Sequence, residues 1–164
     1  MNEDRLMIFI DYSNLFHSCK DLGIKLDIEK FLKVISRGRK LIRPYLFGTE
    51  AQNEGQKSFY DVARYLGYTI VLKELKSDGR GKFFEKGVDI AMTTYFLKHG
   101  YNNTYDIALL VTGDKDYITA IEAVKEMGKR VEVAGFRHAT AKELQLAVDE
   151  YIPLDNFIEM IKRV

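Results

Sequence analysis

The chain is short, close to neutral in charge and of ordinary globular composition. It has 164 residues, of which 46% are hydrophobic and 30% charged, and its formal net charge is +1. We expect a single domain over residues 1–164, because a chain of this length can bury one core without disulfides or metals. The near-neutral charge argues against a dedicated duplex-DNA binder, which would carry a marked basic excess.

The cysteine content and the hydropathy pattern predict a cytoplasmic protein. The one cysteine, Cys19, has no partner for an internal disulfide, and the first residues lack the basic and then apolar pattern of a signal peptide. No apolar run approaches the roughly 18 residues that a membrane helix needs. We therefore expect no membrane partner.

Two apolar runs, residues 6–10 and Ile107–Val111, predict buried parallel strands. Neither run alternates with a period of two, which is typical of strands that helices cover on both faces. Asp11 directly follows the first run, whereas Asp114 and Asp116 follow the second after Gly113, which permits a sharp exit. Ligand sites of open parallel sheets lie just past the carboxyl ends of the strands. If the two strands are neighbours, the aspartates share one crevice.

The remaining apolar spacing alternates between helical and strand-like. A helix is predicted after Asp11, with Ser13 as a cap, and another after Asp27, which would cap it. The alternation predicts an α/β protein with a mostly parallel central sheet of five or six strands. We place the other strands at residues 41–47, which Pro44 interrupts, at 68–75, at 131–134 and at the close of the chain.

Residues 76–87 interrupt this alternation and predict a loop. The segment contains three glycines, two phenylalanines and the basic residues Arg80, Lys82 and Lys86. Two interpretations remain open. It is either a solvated loop or a contact for single-stranded nucleic acid, in which cations follow the phosphates and aromatic rings stack on the bases.

Asp89 lies in the first turn of the next predicted helix, where the helix dipole stabilises any carboxylate. The sequence leaves open whether it reaches the crevice. Clustered carboxylates raise one another's pKa unless a proton or a cation lies among them. Mg²⁺ and Mn²⁺ take oxygen ligands and bind substrate phosphates, which suits phosphoryl chemistry. The alternative is structural, because Asp114 or Asp116 could equally cap the following helix.

Three short motifs resemble those of the NYN domain family, a PIN-like, ribonuclease-related group that includes the LabA-like proteins. They are DYSNL at residues 11–15, KGVD at 86–89 and TGDKDY at 112–117, in the order found in the family. The resemblance continues through residues 128–131 and 144–152 and covers essentially the whole chain. It implies a PIN-like, three-layer α/β/α sandwich around a parallel sheet.

The resemblance also implies metal-dependent hydrolysis of RNA phosphodiester bonds by a metal-activated water, with single-stranded RNA favoured over duplex. Asn14 would stabilise the coordination shell of the metal or bind a substrate phosphate, and the Thr112 hydroxyl would support the same site. Arg80, Lys82 and Lys86 would contact substrate phosphates. A homo-oligomer is left open. The catalytic residues and ligands of Mg²⁺ or Mn²⁺ would be Asp11, Asp89, Asp114 and Asp116.

One position departs from the family pattern. Many LabA-like members carry a further acid about two turns along the helix after Asp89, where this chain reads TTYF and places Tyr95. This puts a second metal in doubt and gives the main alternative, a catalytically weak or inactive module that binds RNA or protein. A receiver-like or phosphatase-like domain is a third interpretation, disfavoured because only one acid follows the first strand.

Overall fold

The computed structural model describes residues 3–81, 83–85 and 87–164. The strands are β1 (Arg5–Asp11), β2 (Lys40–Thr49), β3 (Thr69–Lys73), β4 (Leu75–Ser77), β5 (Phe83–Glu85), β6 (Ile107–Val111), β7 (Arg130–Gly135) and β8 (Glu150–Pro153). The helices are α1 (Tyr12–Asp21), α2 (Ile28–Ser36), α3 (Glu54–Tyr65), α4 (Val88–Tyr101), α5 (Ile118–Glu126), α6 (Lys142–Ala147) and α7 (Ile158–Ile161). Within these described ranges, no helix has the length and apolar character needed to cross a membrane.

Six strands form one parallel sheet in the order β3-β2-β1-β6-β7-β8. The pairing of β1 with β6 confirms that the two apolar runs are neighbours. From β1 the chain winds outward to β3 on one side, and it then crosses over to β6 and winds outward to β8 on the other. The crevice between β1 and β6 at their carboxyl ends is therefore the switch point at which such sheets bind ligands.

Helices cover both faces of the sheet, which confirms the predicted three layers. Successive residues of β1 point to opposite faces. Leu6, Ile8 and Ile10 pack with residues of α1, α2, α3 and α7. Met7 and Phe9 pack with residues of α4, α5 and α6. Both faces of β1 are thus buried, as the unbroken apolar run predicts.

Strand β2 accommodates Pro44 next to a bulge. Leu6 pairs with Leu41 but Met7 pairs with Arg43, so Ile42 is an extra residue on β2. Proline lacks the N–H that a regular ladder needs, and bulges are among the few places where a strand tolerates it. The predicted strand at residues 41–47 is therefore confirmed and extends to Lys40–Thr49.

The prediction of a loop at residues 76–87 was wrong in part, because β4 and β5 pair there as an antiparallel hairpin. The two strands are only three residues long, and the connection between them contains Gly79 and Gly81 at φ values of 78° and 82°. Glycine adopts this left-handed conformation without steric cost, which lets the chain reverse. The hairpin connects the carboxyl end of β3 to α4. Lys82 and Lys86 lie outside the described residues.

Candidate active site

Asp11 is the point at which β1 passes into α1. Its side chain is 8% exposed, and its Oδ1 accepts a hydrogen bond from the backbone N–H of Asn14 at 3.3 Å. Asp11 is therefore the N-cap of α1, and the prediction of Ser13 as the cap was wrong. The helix begins at Tyr12 without a linker, so Ser13 already lies inside its first turn.

The other carboxylate oxygen of Asp11 reaches the neighbouring strand. Its Oδ2 accepts from the Thr112 hydroxyl at 3.3 Å and from the Tyr117 hydroxyl at 3.4 Å. Burying a carboxylate is costly unless donors surround it, and these contacts supply them. The carboxylate consequently links the ends of β1 and β6 at the switch point.

Asn14 and Thr112 also hold the segment after β6 in place. The side-chain oxygen of Asn14 accepts from the backbone N–H of Gly113 at 3.1 Å. The Thr112 hydroxyl accepts from the backbone N–H of Asp114 at 3.2 Å. Both residues thus belong to the same hydrogen-bonded group as Asp11.

Gly113 is required by a close approach of two segments. A Cβ atom at this position would lie 1.7 Å from the carbonyl oxygen of Ala139 and 3.1 Å from the Cα of Thr140. Gly113 does not have a positive φ. Glycine is therefore needed here because no side chain fits, and not because the backbone adopts a conformation that only glycine tolerates. The turn after β7 therefore packs directly on the exit from β6.

Asp114 and Asp116 have different surroundings. Asp114 caps the short 3-10 helix Lys115–Tyr117, because its Oδ1 accepts from the backbone N–H of Asp116 at 2.9 Å. The structural interpretation therefore holds for Asp114, although a cap can also be a ligand. Asp116 lies within the turn and its side chain is exposed. One cap accounts for only one of the two aspartates.

Helix α4 brings Asp89 to the same edge of the sheet. Asp89 is exposed in the first turn of α4, and it lines a cavity of about 160 Å³ together with Asp116 and Tyr117. Thr93, one helical turn after Asp89, lines the same cavity. Asp89 and Asp116 thus come from different elements and border one space.

Tyr117 lies among three of the aspartates. Its ring is 1% exposed, and burial raises the pKa of its hydroxyl. The charges of Asp11, Asp89 and Asp114, and the hydrogen bond to Asp11, raise this pKa further. Tyr117 ends the third sequence motif but was not predicted as a site residue, and its place in that motif was the available signal.

The oxygen donors at this edge suit a hard cation. Carboxylates and a hydroxyl, without thiols or imidazoles, are the donor type that Mg²⁺ and Mn²⁺ prefer. Among the residues that the structure describes, no three acidic, histidine or cysteine side chains are grouped closely enough to enclose an ion. Mg²⁺ commonly binds through one or two carboxylates plus waters and substrate phosphates, so the donor set fits that mode.

Tyr95, at the position where a further acid was considered, does not line the cavity beside Asp89. Its ring packs against Tyr45 and Phe47, with ring centroids 5.2 and 5.5 Å away. The cavity is lined instead by Thr93 and Thr94. On this surface of α4, hydroxyl groups and not a second carboxylate follow Asp89.

Of the three basic residues predicted to contact substrate, the structure describes Arg80. Arg80 is exposed in the connection between β4 and β5, where its backbone N–H donates to Asp78 at 2.7 Å. It is not part of the hydrogen-bonded group around Asp11 that the preceding contacts define. Lys73, the last residue of β3, approaches the start of α4, since a Cβ atom on Gly87 would lie 3.4 Å from its Cε.

Comparisons with known proteins agree with this architecture. A family model of the NYN domain, a PIN-like nuclease family, matches residues 5–155. The Low amplitude and bright protein LabA of Synechococcus elongatus is 28% identical over 167 residues, which cover 97% of this chain and 90% of LabA. A crystal structure of a protein of unknown function from Vibrio parahaemolyticus has the same fold, with a TM-score of 0.82 and 20% identity over 97% of this chain and 96% of that one. The chain belongs to the NYN domain family.

Proposed function

We propose that this protein is a Mg²⁺- or Mn²⁺-dependent endoribonuclease that hydrolyses phosphodiester bonds of single-stranded RNA. The observation that carries the proposal is the contact of the buried Asp11 carboxylate with the Thr112 and Tyr117 hydroxyls at the switch point of the sheet. Tyr117 also lines the cavity that Asp89 and Asp116 border. Carboxylates from three separate elements lie at this edge. Membership in a PIN-like nuclease family supports RNA as the substrate.

Asp11, Asp89, Asp114 and Asp116 are the residues that would hold the metal. When bound, the ion would lower the pKa of a coordinated water and stabilise negative charge on the phosphate oxygens. The Thr112 and Tyr117 hydroxyls fix the orientation of the Asp11 carboxylate through their hydrogen bonds to its Oδ2. Thr93 offers a further hydroxyl at the cavity that Asp89 and Asp116 border.

Asn14 and the basic residues of the segment 80–86 are proposed to bind the substrate. The Asn14 side-chain oxygen is engaged with the N–H of Gly113, so its amide nitrogen is the end that would donate to a phosphate. The phosphates of the RNA strand would be contacted by Arg80, Lys82 and Lys86, because the segment that contains these residues leads directly into α4, the helix of Asp89. The cytoplasmic location, the preference for single strands and the oligomeric state remain predictions.

The test is cleavage of a labelled single-stranded RNA with and without Mn²⁺ by the wild type and Asp114→Asn. Asparagine is as good an N-cap as aspartate, so this variant keeps the capped turn and loses only the charge. We expect at least the roughly 10- to 100-fold loss that even an outer-shell change causes at a metal site. Asp61→Asn, an equal change at a side chain that is 62% exposed on α3, is the matched control and should cleave normally.

A second candidate is an RNA-binding module without turnover. It is favoured by the lack of a three-ligand cage among the described residues and by Tyr95 at the position where a further acid was considered. RNA binding by the wild type without any Mn²⁺-dependent cleavage would support this candidate and overturn the nuclease. Cleavage that Asp114→Asn leaves unchanged would overturn the assigned site.

A further inference from the structure

A second cavity lies on the other side of β1 from the aspartates. Its volume is about 340 Å³, and it lies between α1, the start of α3 and the end of the chain. The residues that matter for its chemistry are three aromatic and two basic ones, namely Tyr12, Phe16, Phe59, Lys25 and Arg163. We call this space the aromatic cavity.

The aromatic rings form one continuous wall. Tyr12 stacks on Phe59 with ring centroids 4.7 Å apart and an interplanar angle of 19°. Phe16 lies 5.9 Å from Tyr12 between ring centroids, at an interplanar angle of 44°, and is 45% exposed. Exposure of a large apolar ring costs free energy, so a wall of this kind is a suitable surface for a flat ligand.

The aromatic cavity extends to the edge of the sheet that carries the aspartates. Tyr12 directly follows Asp11, and its ring packs on Gly48 near the carboxyl end of β2, where an added Cβ would lie 3.6 Å from its Cδ2. The first turn of α3, which follows β2, supplies further lining residues. Asp11 contacts Tyr117 on the α5 side, so the two sites lie on opposite sides of one strand end.

The two basic residues of the aromatic cavity are available to a ligand. Lys25 and Arg163 are both exposed, and neither lies within salt-bridge distance of an acidic side chain in the described part of the chain. Burial raises the pKa of Tyr12, while the charge of Arg163 acts in the opposite direction, which places the guanidinium near the phenol. Unpaired cations beside stacked aromatic rings are the surface that single-stranded nucleic acids bind.

We propose that the aromatic cavity binds one nucleotide of a single-stranded RNA. The base stacks on the wall of Tyr12, Phe16 and Phe59, and the adjoining phosphate contacts Lys25 and Arg163. The volume is at the lower end of the range for small-ligand sites and admits a single unpaired base. The inference rests on the proposed function, to which it adds a base-binding site across β1 from the site of cleavage.

The test measures binding by the full chain of a short single-stranded RNA that carries the fluorescent base 2-aminopurine. EDTA is present throughout, so the readout depends on neither metal nor turnover. Phe59→Leu removes the ring and keeps apolar bulk. Because the base then loses a stacking partner, we expect about tenfold weaker binding and less quenching of the base fluorescence. Tyr65→Leu is the matched control, because Tyr65 is 90% exposed on the same helix and does not line the cavity.

A second pair of variants tests the phosphate contact. For single strands, the slope of log affinity against log salt changes by about 0.7 for each phosphate contact. Arg163→Gln should therefore reduce the magnitude of this slope by about 0.7. Lys33→Gln removes one charge from a lysine that is 77% exposed on α2, and it should leave the slope unchanged.

The outcomes separate this inference from the nuclease proposal. Wild-type binding that Phe59→Leu and Arg163→Gln leave unchanged overturns the inference, as does an absence of binding or an equal loss in the two controls. Cleavage with Mn²⁺ is measured separately and still decides the nuclease. Phe16→Leu, at an exposed ring, repeats the stacking test if Phe59→Leu fails to fold by circular dichroism.

Discussion

At the scale of single residues, Asp11 and Asp89 belong to one proposed site but differ in their contribution to stability. Asp11 is buried, caps α1 and accepts from the Thr112 and Tyr117 hydroxyls, whereas Asp89 is exposed. Asp11→Ala removes the cap and leaves buried donors without an acceptor, so the free energy of unfolding should fall by about 2–4 kcal/mol. Asp89→Ala should change it by no more than about 0.5 kcal/mol.

Urea unfolding of the two variants measures this difference, and the RNA cleavage assay on the same samples measures function. If both aspartates bind the metal, both variants lose cleavage although only one is destabilised. Equal stability of the two variants would contradict the structural role assigned to Asp11.

Cys19 is predicted to be an unreactive thiol. It is 3% exposed, and burial raises its pKa to about 11. Only the thiolate is nucleophilic, so at about pH 8 the native protein should react with iodoacetamide roughly 100-fold more slowly than the urea-unfolded chain. The chain has one cysteine, so the mass increase reports this site alone. Similar rates in the two states would show that the thiol is accessible in the folded protein.

At the scale of secondary-structure elements, the contact between the exit of β6 and the turn after β7 is the tightest at the site. A Cβ atom on Gly113 would lie 1.7 Å from the Ala139 carbonyl oxygen, and backbone atoms cannot rotate away as a side chain can. Gly113→Ala should therefore lower the free energy of unfolding by about 1–3 kcal/mol or more. It should also displace the N–H that binds Asn14, and so reduce cleavage.

Gly55→Ala is the control for this substitution. Gly55 is in the first turn of α3, where an added Cβ would meet only the Asn53 side chain, at 3.2 Å. The Asn53 side chain can shift by the few tenths of an ångström required, and alanine is a better helix former than glycine by about 1 kcal/mol, so the stability measured in urea should fall far less than in Gly113→Ala. A Gly113→Ala variant as stable as Gly55→Ala would show that the two segments move apart readily.

At the scale of the whole molecule, the sequence predicted the features that depend on local pattern. The unbroken apolar runs at residues 6–10 and Ile107–Val111 indicated strands buried on both faces, and β1 and β6 are neighbours at the centre of the sheet. The hairpin of β4 and β5 was missed because two strands of three residues are too short to produce a period. The course of β2 past Pro44 depends on a bulge, which is set by pairing with β1.

The sequence could predict only that part of the candidate site which lies at the ends of neighbouring strands. Asp11 and Asp114 follow strands that pair, so their proximity follows from the topology. The contact of the Tyr117 hydroxyl with Asp11 joins residues 106 positions apart, and the packing of Gly113 on Ala139 depends on the turn after β7. No local pattern encodes such contacts. They arise from the three-dimensional packing of separate elements.

The buried tyrosines predict how the stability of the whole molecule depends on pH. Burial is the main cause that raises the hydroxyl pKa of Tyr68, Tyr105 and Tyr117. In the unfolded chain these groups ionise at about pH 10, whereas in the folded protein they stay protonated. Above that pH the folded state binds more protons, so the free energy of unfolding falls by about 1.4 kcal/mol per pH unit for each such tyrosine. Below it, their contribution to stability is fully present.

An alkaline titration followed by tyrosinate absorbance and circular dichroism checks this prediction. Tyr68, Tyr105 and Tyr117 should stay protonated above about pH 10 for as long as the helical signal is unchanged. The buried tyrosines should then ionise in one cooperative step that coincides with the loss of the helical signal, because their hydroxyls become accessible only on unfolding. Smooth ionisation of all ten tyrosines near pH 10 with the helical signal intact would mean that these hydroxyls are hydrated in the folded protein.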